Sequence, residues 1–197
     1  MAFDNPRVAE HDIDVQFIQR WSPRAYRAEE ISTETVQTFL EAARWAPSSY
    51  NSQPWRFVFA RRGTAHWDSL LGLLNEFNRS WAKNASVLII VISKETFVGP
   101  DGKEAPAPSH TFDTGAAWAY LALQASLSGW AAHAMAGFDK EKALAVLGIP
   151  AGYTAQAAIA VGKAGDKSML PASLQEREMP SPRQALESLA FEGVFQQ

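Results

Sequence analysis

A run of aliphatic residues near the middle of the chain constrains the fold more than any other feature. The run Val87-Leu88-Ile89-Ile90-Val91-Ile92 contains no polar residue and shows no alternation of polar and apolar positions. It is far shorter than the roughly 20 apolar residues of a membrane helix. A strand without alternation is typical of a sheet interior that is covered on both faces. We therefore expect residues 86–93 to form a central strand.

Helical and strand patterns surround this run. Val36, Phe39, Leu40 and Ala43 lie at i, i+3, i+4 and i+7, which predicts a helix with one buried face that begins near Ser32 or Thr33. A long segment after Asp113 is apolar on most faces, so we expect Asp113 to cap a buried central helix. Shorter helices are predicted at residues 12–20, 70–74, 75–83 and 139–147, and strands at residues 55–59, 131–135 and 154–161.

Two stretches lack such patterns. Residues 97–110 are rich in glycine and proline and are expected to form a long irregular segment of the kind that often serves as a lid or binding loop. Residues 163–197 are too polar and proline-rich to build a core of their own, apart from a short helix expected at residues 184–191. We expect this tail to lie on another surface.

A rigid polar loop joins the first long helix to the strand at residues 55–59. Pro47 and Pro54 prevent the helix from continuing, and the side chains between them can form hydrogen bonds: Ser48, Ser49, Asn51 and Gln53. Such a loop can match the edge of a polar heterocycle. The alternative is a structural connection in which the polar side chains cap each other.

A second polar group follows the first predicted helix. Arg20, Ser22 and Arg24 flank the helix-breaking Pro23. Two guanidinium groups and a hydroxyl suit a phosphate dianion, so the triplet predicts a phosphomonoester site. The alternative is a solvated surface.

Composition excludes several classes of protein. The 197 residues are expected to form one domain, 1–197, and a net charge of −3 gives no electrostatic case for nucleic acid or a membrane surface. The absence of cysteine excludes disulfides and thiolate chemistry. The histidines lack metal-ligand spacing, so no metal site is expected. No signal-peptide pattern opens the chain, which favours the cytoplasm.

The loop and the arginine triplet, in this order, resemble two motifs of the nitroreductase family of FMN-dependent oxidoreductases. Arg20-Trp21-Ser22-Pro23-Arg24 is similar to the family's R-x-S-x-R/K opening, and the sequence from Pro47 to Phe57 is similar to its P-S-S-x-N-x-Q-P-W-x-F signature. Similar landmarks follow at Phe77-Asn78, Asp113-Thr114-Gly115-Ala116-Ala117, Ala136-Gly137-Phe138-Asp139 and Pro182-Arg183-Gln184. The resemblance therefore covers nearly the whole chain.

This resemblance implies a fold, an assembly and a cofactor. The fold is an α+β three-layer sandwich whose mostly antiparallel central sheet is flanked by helices. The assembly is an intertwined homodimer in which the C-terminal extension, residues 163–197 here, packs on the partner subunit. FMN is bound tightly at the dimer interface, with residues of both subunits around it.

The resemblance also implies roles for individual residues. Arg20, Ser22 and Arg183 match phosphate contacts, with Trp21 as a backbone contact beside them and Arg177 as an alternative to Arg183. Arg24 matches the cation near the flavin pyrimidine ring, and Asn78 matches the amide at the same edge. The turn of Ala136 and Gly137 matches the one that faces flavin N5. The loop residues match contacts made partly across the dimer: Pro47, Ser48, Ser49 and Asn51.

The implied activity is a ping-pong transfer of reducing equivalents from NAD(P)H, through FMN, to a small acceptor such as a nitroaromatic, a quinone or an activated enone or enal. No side chain is predicted to be catalytic, because the cofactor carries the redox chemistry. Two alternatives stay open, a flavin-binding protein without turnover and a hydrolase. The string Asp113-Thr114-Gly115-Ala116 also matches an aspartic protease motif, but a helical pattern follows it and no second copy exists.

Three positions depart from the family's pattern. Trp81 and Ser181 stand where many members have a lysine, and Ala136 stands where many have a glutamate. Trp81 is expected either near the flavin or in the core. His110 and His133 remain candidates for the pocket because of the segments that they occupy.

Overall fold

The computed structural model describes residues 5–196 of the chain. Residues 1–4 and 197, which belong to the predicted domain 1–197, lie outside the described residues. The helices are α1 (Gln16–Gln19), α2 (Thr33–Arg44), α3 (Trp67–Leu71), α4 (Glu76–Ala82), α5 (His110–Leu127), α6 (Lys140–Val146) and α7 (Ala172–Gln175). The strands are β1 (Tyr26–Arg27), β2 (Trp55–Arg61), β3 (Val87–Lys94), β4 (Thr96–Val98), β5 (Glu104–Pro106), β6 (Ala131–Met135) and β7 (Tyr153–Ala164).

The described strands form a main sheet and a separate hairpin. In the main sheet the order is β1-β7-β3-β2, and β6 also pairs with β7. Each of these pairings is antiparallel. β3 lies between β2 and β7, so that Ile89 faces Phe59 on one side and Ile159 on the other. The aliphatic run therefore forms a central strand, as predicted.

Helices cover both faces of the sheet because successive side chains of a strand point to opposite sides. Leu88, Ile90 and Ile92 belong to one hydrophobic cluster, which contains residues of α3, α4 and α6. Val87, Ile89 and Val91 belong to a second cluster, formed with α2 and α5. The predicted α+β sandwich with an antiparallel sheet between helices is confirmed, while exchange of the tail across a dimer stays a prediction.

The predicted helices and strands are largely present. The Ser32 side chain caps α2 by accepting a hydrogen bond from Thr35 N at 3.0 Å, and Val36, Phe39 and Ala43 are buried. Asp139 caps α6 in the same way. α1 is shorter than predicted, and its expected apolar residues Ile13 and Phe17 are 50% and 53% exposed. The packing of α1 within this chain therefore does not explain its apolar side.

Two expectations for the segment before the central helix are wrong. Residues 97–110 are not irregular throughout, since Thr96–Val98 and Glu104–Pro106 pair as an antiparallel hairpin. Asp113 does not cap α5, because the helix begins at His110, after Ser109. Asp113 instead lies inside the first turn, where it is only 4% exposed, and it contacts a different segment of the chain.

The tail divides into two parts. Leu170 and Leu174 are buried in the same hydrophobic cluster as α3 and α4, and Glu178 is 3% exposed. Residues 181–190 are all exposed, and a short 3-10 turn at Leu186–Ser188 stands where a helix was expected. The part of the tail that is exposed on this chain therefore begins near residue 181.

Candidate functional site

Three arginines meet where the N-terminal segment, the end of α1 and the tail come together. Arg20 donates from Nη1 to Ser22 Oγ at 3.2 Å. Burial first, and then the positive charge of Arg183, lowers the pKa of Arg20, and the pKa of Arg7 is lowered by burial, Arg183 and Arg20. Among residues 5–196, none of these three guanidinium groups forms an ion pair with a carboxylate. Such an uncompensated positive cluster favours an anion.

Arg7 also fixes the shape of this cluster. Its Nη1 donates to Arg20 O at 2.9 Å and to Ile18 O at 3.2 Å, while its Nε donates to Ser181 O at 2.8 Å. One guanidinium thereby ties the end of α1 to the tail that carries Arg183. Arg7 was not identified from the sequence, because it lies outside both motifs and no local pattern connects it to the tail.

Arg20 is the member of the arginine cluster that lines a cavity. The cavity has a volume of about 450 Å³ and is lined by residues of α1, of the motif that follows it, of α5 and of β6: Phe17, Arg20, Ser22, Trp118, Ala119, Ala122, Leu123 and Ala134. Trp21, the neighbour of Arg20, is partly exposed. The surroundings are thus positive at one side and largely apolar along α5, which suits an anionic ligand with an apolar body.

Arg24 lies further along the same segment and is paired with the tail. Its guanidinium Nη1 is 3.8 Å from Glu178 Oε2, and the side chain is 19% exposed. Within the described residues, Arg24 Nε is buried and has no hydrogen-bond partner. Arg24 therefore keeps one buried donor that no acceptor among residues 5–196 satisfies.

Asn78 and Gly137 are brought together although 59 positions separate them in sequence. Asn78 Nδ2 donates to Gly137 O at 3.0 Å, and Asn75 N donates to the same oxygen at 3.1 Å. A Cβ atom at Gly137 would lie only 2.4 Å from Asn75 Nδ2 and 2.6 Å from Asn78 Nδ2. Position 137 of the turn therefore needs a glycine. The neighbouring residue Ala136 is exposed. Asn75, which also caps α4, was not identified from the sequence.

The polar loop at Pro47 is held by the first turn of α5. Asp113 Oδ2 accepts hydrogen bonds from Ser49 N at 3.2 Å and from Ser109 Oγ at 2.9 Å. Ser48 Oγ accepts from Gln53 N at 3.0 Å. The loop residues Pro47, Ser49 and Asn51 are exposed, so the loop presents polar groups to its surroundings as well as bonding to itself.

The backbone of this loop is strained. Tyr50, Asn51 and Gln53 have positive φ angles of 51°, 51° and 46°, a region that costs residues other than glycine on the order of 1 kcal/mol. The Tyr50 ring stacks on Phe97 of β4, with 5.5 Å between the ring centroids. The loop is therefore fixed between α5 and the hairpin.

Within one chain the predicted site residues form two groups. The Pro47 loop contacts α5 at Asp113, whereas the cavity beside Arg20 meets the same helix at Ala119, Ala122 and Leu123. Asp113 and Ala122 are nine residues apart, which is on the order of 13 Å along a helix. Arg20 and Ser22 thus meet α5 further along the helix than the loop that carries Ser48, Ser49 and Asn51.

Trp81 belongs to the core. It is 1% exposed, and its ring lies 6.2 Å from Tyr26 and 4.8 Å from His133. His133 Nδ1 lies 3.0 Å from Pro23 O, and burial lowers the pKa of His133 to about 4. Of the two interpretations of Trp81, the structure supports core packing. His110 Nδ1 lies 2.7 Å from Ser93 Oγ at the other end of the sheet.

In residues 5–196 no group of histidine, aspartate and glutamate side chains could hold a metal ion. Likewise, none of the described helices is long and apolar enough to cross a membrane.

The chain belongs to the nitroreductase family, whose model matches it in two overlapping segments, residues 18–74 and 65–163. An uncharacterized 15.4 kDa protein of Mycolicibacterium smegmatis is 39% identical over 147 residues, which cover 70% of this chain and 95% of that protein. An NADH dehydrogenase of Thermus thermophilus is 26% identical over 181 residues, covering 77% of this chain and 86% of the other.

A solved structure extends the comparison to the whole chain. It is described as an oxidoreductase containing FMN, and it is 46% identical to this chain. The superposition has a TM-score of 0.94 and covers 100% of this chain and 99% of the other. The fold is therefore shared with that protein over the length of this chain.

Proposed function

We propose that this chain is an FMN-dependent oxidoreductase that transfers reducing equivalents from NAD(P)H to a small acceptor in a ping-pong cycle. The observation that carries the proposal is the uncompensated cluster of Arg7, Arg20 and Arg183, in which Arg20 and its neighbour Ser22 line the cavity along α5. A phosphate dianion matches that charge, and the apolar wall of the cavity matches a flat ring system. Family membership and the similar oxidoreductase containing FMN support the same cofactor.

The residues present fit this cofactor. Arg20, Ser22 and Arg183 would hold the phosphate, with the Trp21 backbone beside them, and the unsatisfied Nε of Arg24 suits the polar edge of the pyrimidine ring. Asn78 would contact the same edge of the pyrimidine ring, and the turn of Ala136 and Gly137 would face flavin N5. When bound, FMN supplies the hydride and electron transfer, while the protein supplies position and electrostatics.

The loop residues Pro47, Ser48, Ser49 and Asn51 would reach FMN from a second copy of the chain. In one copy they lie by the first turn of α5, away from Arg20. A homodimer would also cover the exposed apolar residues of α5, since Phe112, Tyr120 and Leu127 are 83%, 42% and 65% exposed and lie on one face of the helix. The two-fold symmetry of a dimer gives two equivalent sites, each built from both chains.

The acceptor classes that we propose are nitroaromatics, quinones and activated enones or enals. The Thermus relative named as an NADH dehydrogenase supports a nicotinamide donor. We keep the cytoplasm as the proposed location, since this is where a chain without disulfides would meet its reduced nicotinamide.

The visible spectrum of the purified protein tests the proposed function. We expect flavin absorbance that disappears within seconds when NADH or NADPH is added without oxygen and returns when a quinone follows. A colourless protein that takes up no added FMN would overturn the proposal. A bound flavin that neither nicotinamide reduces would identify a flavin-binding protein without turnover.

Substitution of the arginines tests the assignment of the phosphate side. Arg20→Ala and Arg183→Ala should each weaken FMN binding by about 1.5 to 3 kcal/mol, the scale of a hydrogen bond to a charged group. The measurement is fluorescence titration of the FMN-free protein. Arg177→Ala is the matched control, because Arg177 is an exposed arginine of the same tail. Loss of affinity in the control alone would transfer the assignment to Arg177.

A further inference from the structure

Glu178 is a buried carboxylate that the proposed function has not used. Its side chain is fully buried, although it belongs to the polar tail. Oε1 accepts hydrogen bonds from Arg24 N at 2.6 Å and from Ala25 N at 2.8 Å. The tail therefore holds the backbone of the arginine motif directly after Pro23. No sequence pattern links Glu178 to that motif, so Glu178 was not identified from the sequence.

The second carboxylate oxygen faces the guanidinium of Arg24. Glu178 Oε2 lies 3.8 Å from Arg24 Nη1, and within the described residues it has no hydrogen-bond partner. Opposite charges that lie 3.8 Å apart in a buried environment attract each other strongly, but this distance is too long for a hydrogen bond. The carboxylate thus offsets the charge of Arg24 without occupying the donor Nε, which is also unpartnered.

We infer that Glu178 is a positioning residue that orients Arg24 and lowers the midpoint potential of bound FMN by offsetting the charge of Arg24. This inference rests on the proposed function. Reduction of the cofactor places negative charge at its pyrimidine edge, and a nearby cation favours that state. A carboxylate beside the cation reduces this benefit, so the Arg24–Glu178 pair sets the potential below that of a lone arginine.

The neighbours of the pair strengthen this role for Glu178. The other ionisable side chains packed near it are Tyr26 and His133. Burial and the charge of Glu178 raise the pKa of Tyr26, and burial lowers the pKa of His133 to about 4. Both side chains are therefore neutral at pH 7. Arg24 and Glu178 are then the oppositely charged pair of this cluster, and Arg20 is a further positive charge that acts on His133.

Glu178→Gln tests the inference because it removes the charge and keeps an oxygen that can accept from Arg24 N and Ala25 N. We expect the equilibrium constant for two-electron reduction to increase about tenfold, a rise of about 30 mV in midpoint potential. The measurement is spectroelectrochemical titration of the FMN-loaded protein at pH 7. Glu176→Gln is the matched control, since Glu176 is an exposed carboxylate two residues away, and its potential should equal that of the wild type.

An unchanged potential in Glu178→Gln, with FMN still bound, would overturn the inference and leave Glu178 as a structural residue. If Glu178→Gln does not retain FMN, the same titration is made on Glu178→Asp, whose carboxylate lies farther from Arg24. A midpoint potential of Glu178→Asp above that of the wild type supports the inference. A midpoint potential equal to that of the wild type overturns it. A wild-type chain that binds no FMN would instead overturn the proposed function itself, which is a distinguishable result.

Discussion

His133 makes the stability of the folded chain depend on pH. Its pKa is about 4 in the folded protein because of burial, against about 6.5 in an unfolded chain. Between these two values the unfolded chain binds a proton that the folded chain does not, so the stability conferred by a neutral His133 is lost as the pH falls from 6.5 towards 4. The difference amounts to about 3 kcal/mol.

We expect His133→Asn to be less sensitive to acid than the wild type. The variant loses the ring contact with Trp81, so its free energy of unfolding at pH 7 should be lower than that of the wild type. This difference in free energy of unfolding should be smaller by about 2 to 3 kcal/mol at pH 4.5. Urea unfolding of the FMN-free proteins at both pH values measures this. His66→Asn is the control, because His66 is exposed. A difference in free energy of unfolding that is the same at both pH values would contradict the prediction.

Individual residues show what the sequence could predict and what it could not. Asn78 and Gly137 were identified through motifs, and the structure brings them into direct contact. Arg7 and Glu178 were missed, since each acts through a contact with a segment more than a hundred residues away. Trp81 was ambiguous because an indole suits both a flavin and a core, and only the packing of β3 and α4 decides between them.

At the scale of elements, the hairpin of β4 and β5 is linked to the polar loop by the stacked rings of Phe97 and Tyr50. An aromatic pair of this kind is worth about 0.5 to 1.5 kcal/mol. If the loop borders the acceptor, loss of the stack should change the relative kcat/KM of a quinone and a nitroaromatic by about 2-fold to 12-fold. FMN affinity should stay within about a factor of two, because the arginine cluster is untouched.

Phe97→Ala and steady-state kinetics with both acceptors test this link. Val98→Ala is the control, since Val98 is 64% exposed on the same strand and contributes no ring. Reduced FMN affinity combined with an unchanged acceptor ratio would show that the hairpin supports the cofactor and does not select the acceptor.

Local sequence patterns predicted the presence of the helices and strands more accurately than their first and last residues. The cap of α2 and the apolar run of β3 were predicted correctly because both depend on neighbouring residues. The predicted start of α5 is four residues too late, because Asp113 is a residue type that often caps helices but here accepts a hydrogen bond from Ser49 of a distant loop. The hairpin was missed since its strands are short and one ends at a proline.

For the whole molecule, we expect the exposed part of the tail to be needed for assembly. A chain that ends at Pro180 keeps the buried Leu170, Leu174 and Glu178 but lacks the exposed residues 181–190. It should be monomeric and should lose FMN, because both Arg183 and the partner's loop would be absent. Sedimentation at micromolar concentration, together with the flavin spectrum, measures both effects.

Full-length Arg177→Ala is the control for assembly and should remain dimeric. A truncated chain that is dimeric but free of FMN would separate the two roles of the tail, leaving Arg183 as a ligand and α5 as the interface. A truncated monomer that still binds FMN as tightly as the full-length chain would contradict the composite site.

The residues of the Pro47 loop with positive φ angles bear on how this loop can evolve. Tyr50 and Gln53 adopt a conformation that glycine would adopt without steric penalty. Glycine at either position would relieve the strain, although each replacement requires two nucleotide changes in the codon. The chain instead carries a loop with about 2 kcal/mol of stored strain. A cost of this size is tolerated where the side chains confer a fitness benefit that glycine cannot, which makes these two positions the first to inspect when diverged homologues are compared.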